Sequence, residues 1–103
     1  MRDDELLFMP AMRAAALIRR RALSPVEYLR AVLAAAGPAQ ARLNCFAQVM
    51  EETALAAARR AEQGVMDGAP SGPLHGVPVT VKDLLDVEGV PTRHGSAIFA
   101  DNP

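Results

Sequence analysis

Lys82 is the residue whose type and setting could support chemistry. It follows residues 77–81, where valines alternate with proline and threonine, a pattern that predicts a β-strand. We expect a lysine at the end of a valine-rich strand to be partly buried, and burial disfavours the ammonium form. A neutral lysine amine can take a proton from a hydroxyl nucleophile, so the sequence makes Lys82 a candidate general base. The alternative is a lysine that points into water, as most lysines do.

The other ionisable groups have simpler interpretations. His75 and His94 lie in turn-like segments without a paired acid, and with Cys45 they show no zinc-site spacing, so we expect surface histidines. Asp86 and Glu88 are close in sequence only, and we interpret them as solvated carboxylates. Cys45 lies in an apolar stretch and is expected to be a buried, inert thiol. The sequence therefore predicts no metal site, and it contains no phosphate-binding glycine loop.

Charge narrows the possible partners. Eleven basic and twelve acidic side chains leave a net charge of −1, which implies no general attraction to nucleic acid or to an anionic membrane. The basic run at residues 19–21 falls where we expect a helix to end. Cations there suit the negative end of the helix dipole, and we favour this interpretation over a binding patch.

The sequence also indicates a compartment. A single cysteine excludes an internal disulfide and suits a reducing cytoplasm. No apolar run approaches the roughly 20 residues needed to cross a bilayer. The acidic residues at positions 3–5 stand where a signal peptide would need positive charge. We therefore expect a soluble, cytoplasmic protein.

Three helices are predicted, at residues 9–21, from residue 25 to about 36, and at residues 51–63. Ser24 is expected to cap the second helix and Glu27 to close a capping box. The pair at residues 37–38, glycine and proline, is expected to stop that helix, and Gly64 to end the third.

Two strands complete the predicted elements, one within residues 43–50, where a short apolar run can also be buried helix, and one at residues 77–81. A lone strand pair needs other strands and a covering layer, so the pattern is typical of the start of a larger α/β protein. The strands near Phe46 and Val79 would present open edges, and we expect the chain to self-associate.

A resemblance to a known family strengthens the interpretation of Lys82. The segment LHGVPVTVKDLLDVEGVPTRHGS, residues 74–96, resembles the catalytic-lysine stretch of the amidase signature family, G-[VI]-P-x-x-[VI]-K-D followed by T-x-x-G-S. Upstream, LSPVE, RLNCFAQV and an alanine-rich helix are similar to the family's opening, so the resemblance extends from about residue 10 to 103. The matching positions are Gly76, Val77, Pro78, Val81, Lys82, Asp83, Thr92, Gly95 and Ser96.

The resemblance implies a mechanism for the family. A serine attacks the amide carbonyl, a second serine held through a cis peptide bond relays its proton, and the lysine, here Lys82, is the base. The two serines lie in a glycine- and serine-rich segment beyond position 103 in the family. Ser96 aligns with a structural serine, and Ser24 and Ser71 lie in a cap and a loop, so none of the three is a nucleophile. The chain by itself is therefore expected not to hydrolyse amides.

The resemblance also implies an architecture and partners. Residues 1–103 would form the N-terminal part of one amidase domain, with a helical region at 9–63 and the lysine strand and loop at 74–103, within a mixed-sheet α/β/α fold. The substrate would be a small carboxamide, or glutamine as an ammonia source, with no metal or organic cofactor. The missing C-terminal portion would be the natural partner. Two alternatives stay open: a non-catalytic helical interaction module, and one half of a split amidase that needs a companion chain.

Overall fold

Helices make up most of the regular structure. The computed structural model describes residues 2–70, 72–82, 85 and 87–92. Within these ranges the chain forms α1 (Asp3–Leu7), α2 (Ala11–Arg19), α3 (Pro25–Leu43) and α4 (Glu51–Met66). The same ranges contain no β-strand, only an isolated antiparallel bridge between Val87 and Val90. The expected pair of strands is therefore not formed, and the described part of the chain is a helix-rich unit.

The N-terminal helices differ from the prediction at their boundaries. α1 was not predicted. It is only five residues long and mostly polar, and its one deeply buried side chain, Leu6, is too few to show a helical repeat of apolar residues. The predicted helix at 9–21 is α2, shorter by two residues at each end. α2 ends in a Schellman motif, in which the Arg21 N–H donates to the Ile18 carbonyl at 3.0 Å and the Ala22 N–H to the Leu17 carbonyl at 2.8 Å. Arg21 takes the left-handed conformation (φ 61°) that glycine usually supplies.

The start of α3 confirms the predicted serine cap. The Ser24 hydroxyl accepts from the backbone N–H groups of Val26 (3.2 Å) and Glu27 (3.3 Å), and Pro25 occupies the first turn. The acid that bonds Ser24 is Glu62 of α4, whose carboxylate accepts from the Ser24 hydroxyl. The predicted capping box, in which the Glu27 carboxylate would accept from the Ser24 backbone N–H, does not appear among the described contacts; the bond of Glu62 is to the Ser24 hydroxyl instead.

The predicted stop at Gly37 and Pro38 is wrong. α3 continues through both residues to Leu43 and ends where Asn44 turns left-handed (φ 47°) and donates its N–H to the Gln40 carbonyl at 2.9 Å. A proline inside a helix removes one hydrogen bond and crowds the preceding turn. The apolar packing of α3 along α4 lies before Gly37, through Leu29 and Leu33, so it does not cover this last part of the helix. The contact described there is that of the Gln40 side chain with the Phe46 backbone.

The segment after α3 is not the predicted strand. Its backbone groups bond a side chain instead of a neighbouring strand: the Gln40 amide nitrogen donates to the Phe46 carbonyl at 3.1 Å, and the Phe46 N–H donates to the Gln40 amide oxygen at 2.7 Å. Residues 44–50 therefore form a short connection to α4 without β pairing.

Within the residues that the structure describes, the helices enclose two small apolar clusters. The main cluster joins all four helices through Leu6, Ile18, Leu23, Tyr28 and Val65, with Val77 packed against it. The second joins α3 and α4 through Val26, Leu29 and Ala58. In the described part of the chain, no helix is long and apolar enough to cross a membrane.

Candidate active site

The loop after α4 carries the chain back across the helices to the lysine segment. Two successive turns shape it: the His75 N–H donates to the Gly72 carbonyl at 3.2 Å and the Val77 N–H to the Leu74 carbonyl at 3.0 Å. From outside the loop, the Arg19 guanidinium donates to the Gly72 carbonyl at 2.6 Å. The loop is thus tied to the end of α2 just before the segment that carries Lys82.

Arginines of the basic run bind carbonyls. The Arg21 guanidinium donates to the carbonyls of Val65 (3.4 Å) and Met66 (3.2 Å) in the last turn of α4. That turn has no basic residue of its own, so a cation from another element compensates its dipole. The sequence prediction that this run serves a helix end is confirmed for Arg19 in α2, and it extends to α4 through Arg21.

His75 is half-buried, which corrects the prediction of a surface histidine. Its Nε2 donates to the Ala61 carbonyl of α4 at 2.8 Å, since a carbonyl can only accept. The ring lies against Gly64, where an added Cβ would come within 3.3 Å of both Cε1 and Nε2.

Gly64 does not end α4 as predicted, because the helix continues to Met66. A glycine inside a helix costs about 1 kcal/mol relative to alanine. The position of the His75 ring gives a physical reason for that glycine.

Gly76 follows directly and meets two requirements. Its φ of +85° lies in the left-handed region, and an added Cβ would approach Pro25 Cγ at 3.0 Å and Ile18 Cδ1 at 3.2 Å. Any side chain would therefore strain the backbone and collide with the core. Val77 then packs against the main cluster, so three consecutive residues fasten the chain to the helices.

The lysine segment leaves the helical layer after Val77. Val79 is 75% exposed and Val81 52% exposed, and Lys82 is exposed as well. The expectations of a strand at 77–81 and of a partly buried lysine are therefore wrong for the described chain, since no neighbouring strand covers this segment. Among the described residues, no hydrogen bond or ion pair reaches the Lys82 amine, and its carbonyl accepts from the Leu85 N–H at 3.0 Å.

The other candidates are not brought to Lys82. Cys45 is exposed, which corrects the expectation of a buried thiol, because the loop after α3 lies outside the core. Glu88 is exposed, as expected for a solvated carboxylate, whereas Thr92 of the family motif is 1% exposed. Asp83, Asp86, His94, Gly95 and Ser96 lie outside the described residues, as does Ser71.

Described residues also line two open grooves elsewhere on the surface. One, of about 490 Å³, runs between α3 and α4 and is lined by residues that include Leu33, Gly37 and Leu55. The other, of about 580 Å³, is lined by residues 48–53 and 88–90. Neither groove includes Lys82, so no substrate pocket is assigned to either of them.

Sequence reasoning missed the residues that hold the loop. The signal at Gly64 was ambiguous, because a glycine near the end of a helical pattern also suits a C-cap. Arg21 and Glu62 gave none, since each acts on a partner about 40 residues away in the sequence.

Comparisons with known proteins indicate the same family as the lysine motif. Residues 27–103 match the family model described as Amidase. "Putative amidase AmiD" of Mycobacterium tuberculosis is 39% identical over 99 residues, which cover 96% of this chain and 21% of that protein. The A-type subunit of the glutamyl-tRNA(Gln) amidotransferase of Salinispora tropica is 42% identical over 97 residues, which cover 94% of this chain and 20% of that protein. The corresponding protein of Chloroflexus aurantiacus is 34% identical over 96 residues, with 93% and 20% covered.

The matches cover most of this chain but only a small part of each relative. The chain spans about a fifth of the length of the curated relatives it matches. No solved structure matches it. Because the family model covers most of the chain, including Gly76, Lys82 and the buried Thr92, the chain belongs to the amidase family, the amidase signature hydrolases that its lysine segment resembles.

Proposed function

We propose that this chain supplies the lysine segment of an amidase active site, with Lys82 as the general base. The observation that carries the proposal is the position of Lys82 in the motif G-V-P-V-T-V-K-D, inside the region that matches the amidase family. The anchor at residues 75–77 supports it, because the segment that presents the lysine is fixed to the helices at its start.

The chemistry follows from the properties of a lysine amine. In the mechanism that the resemblance implies, the Lys82 amine accepts the proton that the attacking serine loses through a second serine. The amine must be neutral to accept it, which requires that surrounding protein remove Lys82 from water. In the described residues Lys82 is exposed, so the proposal includes a covering layer from protein outside residues 1–103.

The same reasoning extends to the fold. Residues 78–81 belong to no helix or strand, and no backbone hydrogen bond joins them to another described residue. A segment whose N–H and C=O groups have no partner among the described residues, and whose valines are exposed, pairs readily with a neighbouring strand. We expect residues 77–81 to become a strand of a mixed sheet once the remainder of an amidase domain is present.

The substrate class comes from the relatives. One is named as an amidase and others as components of a glutamyl-tRNA(Gln) amidotransferase. The proposal is therefore that the complete protein cleaves the C–N bond of a carboxamide, either a small amide or glutamine as a source of ammonia. No nucleic-acid contact is included, given the net charge of −1. The cytoplasmic location expected from the single cysteine remains part of the proposal.

The helical interaction module requires uncovered alanine-rich stripes. The stripes are covered only in part: Ala14 and Ala58 are buried, whereas Ala11, Ala22 and Ala57 are exposed, so this alternative stays open beside the main proposal. The split amidase differs from the main proposal only in the source of the serines, and the hybrid enzyme tests what the two share, the role of the lysine segment.

A hybrid enzyme tests the proposal. The chain replaces the matched segment of AmiD, and the parent and the hybrid are assayed on a panel of carboxamides beside the 103-residue chain alone. We expect turnover by the hybrid and none by the isolated chain, because both serines of the mechanism must come from the relative. A hybrid that folds but does not turn over the amide that the parent hydrolyses would contradict the proposal, as would reproducible hydrolysis by the chain alone.

A further inference from the structure

The His75 side chain links the lysine segment to α4. Nε2 donates to the Ala61 carbonyl at 2.8 Å, across 14 residues of sequence, from a ring that is half-buried. The backbone N–H of the same residue donates to the Gly72 carbonyl at 3.2 Å. His75 thus connects the loop to the helix through its side chain and closes the loop's own turn through its backbone.

Gly64 provides the space that this link requires. A Cβ at this position would lie 3.3 Å from two atoms of the ring, closer than ordinary packing allows without a shift. A glycine in the interior of α4 disfavours the helix, so its presence is explained better by the ring than by helix formation. Gly64 and His75 therefore act together: the space left by the missing side chain of Gly64, called the seat below, is occupied by the His75 ring.

The link lies close to Lys82 along the chain. Gly76 and Val77 continue the anchor onto Pro25, Ile18 and the main cluster. From Val77 to Lys82 the chain advances five residues, which span at most about 17 Å even when fully extended. The place and direction in which the segment leaves the helices therefore limit where the amine can lie.

We infer that His75, seated on Gly64, is a positioning residue for Lys82: its contact with the Ala61 carbonyl sets where the lysine segment leaves the helical layer. The inference rests on the proposed role of Lys82 as base. His75 itself touches no reacting atom and transfers no proton in this account. The loss of the link shifts the lysine, and a misplacement of about 1 Å can lower turnover by about 100-fold.

Two variants break the link in different ways. His75→Leu removes the donor, whereas Gly64→Ala keeps the donor, fills the seat and at the same time favours the helix. His75→Gln is the conservative variant, since it retains a side-chain N–H donor. Gly72→Ala is the matched control in the same loop, because an added Cβ there meets nothing within 4 Å and its φ is not positive.

The first measurement uses the 103-residue chain and needs no activity. Amide hydrogen exchange is followed at Val77, whose N–H bonds the Leu74 carbonyl, with the amides of Ile18 and Leu29 in α2 and α3 as references. We expect exchange at Val77 to accelerate about tenfold in His75→Leu and Gly64→Ala, as for the loss of one hydrogen bond, with the references unchanged. Unchanged exchange at Val77 in both variants, or equal acceleration at all three amides, would overturn the inference.

The second measurement uses the hybrid enzyme and separates positioning from general stability. We expect kcat to fall about 10- to 100-fold in His75→Leu and Gly64→Ala with little change in KM. Partial recovery is expected in His75→Gln and normal kcat in Gly72→Ala. Normal kcat in both link variants of an active hybrid would overturn the inference even if exchange at Val77 changed. If the hybrid keeps its turnover after Lys82→Ala, Lys82 is not the base and the proposed function fails. The exchange data would still decide whether His75 orders the segment.

Discussion

Gly76 shows how one residue joins the motif to the core. Its positive φ turns the chain toward the lysine segment, and its missing side chain lets the backbone lie against Pro25 and Ile18. The family motif places a glycine at this position, and the structure supplies two separate physical reasons for it.

The substitution Gly76→Ala is expected to lower the free energy of unfolding by about 2–4 kcal/mol, from left-handed strain and overpacking together. Gly68→Ala is the matched control, because Gly68 has φ +74° but open space around it. Urea unfolding should show a loss of only about 1–2 kcal/mol there. Equal losses in the two variants would contradict a role for packing at Gly76.

Ser24 has two tasks that a single hydroxyl can perform together. It accepts from backbone N–H groups at the start of α3 and donates to the half-buried Glu62 of α4. The cap thereby fixes the beginning of one helix to the side of the other.

We expect Ser24→Ala to reduce the free energy of unfolding by about 1–2 kcal/mol, through the lost cap and the lost bond to Glu62. A double-mutant cycle with Glu62→Ala should give a coupling of about 1 kcal/mol. Thermal or urea unfolding of the four proteins measures it. Additive effects would show that the bond to Glu62 does not stabilise the fold.

Among the helices, α3 is the one whose continuity is least expected from its sequence. Pro38 is exposed inside it, so it contributes little packing to offset the hydrogen bond that it removes. The part of α3 beyond Gly37 contributes to one wall of the groove beside α4 through Gln40.

Replacing Pro38 by alanine should raise the free energy of unfolding, by up to about 3 kcal/mol, because the helix regains a backbone donor and loses a clash. Pro73→Ala, at an exposed turn proline, is the control and should change stability by at most about 1 kcal/mol. Denaturant unfolding and helix content by circular dichroism report both. If Pro38→Ala leaves both quantities unchanged, α3 ends near Gly37, as the sequence alone predicted.

These elements also show what local sequence can specify. The start of α3 was predictable because Ser24 and Pro25 act within one helical turn. The ends of α3 and α4 were not. α3 ends where Asn44 turns left-handed and Gln40 bonds the Phe46 backbone, and α4 continues past Gly64 to place Val65 in the main cluster. The two strands failed for a related reason: a strand requires a partner, and none is present in the described chain. In the candidate site, the role of Lys82 could be predicted from its sequence motif. The His75 link could not, because it depends on a contact across 14 residues that no local pattern reveals.

For the molecule as a whole, the exposed lysine segment is the feature that most affects behaviour in solution. Val79, Val81 and Leu85 expose between half and three quarters of their surfaces, beside backbone groups without described partners. An open edge with apolar side chains favours pairing between copies.

Sedimentation velocity at increasing concentration should therefore show oligomers. We expect Val79→Lys to shift them toward monomer, since a charged side chain on an edge opposes pairing. Met12→Lys is the control, because Met12 is 83% exposed but lies on α2. Only monomer at high concentration, or an equal effect of the two variants, would contradict association through the lysine segment.

The central claim is that Lys82 is the general base of an amidase active site. Its most direct test compares kcat of the AmiD hybrid with kcat of its Lys82→Ala and Lys82→Arg variants. Lys82 is the only lysine of the chain, so no neighbouring lysine within it can substitute. A general base predicts a loss of about 100- to 10,000-fold in kcat for both variants, because arginine keeps the positive charge but cannot accept the proton. Recovery of turnover by Lys82→Arg would show that the charge alone is needed, and normal turnover by Lys82→Ala would show that Lys82 is not part of the active site.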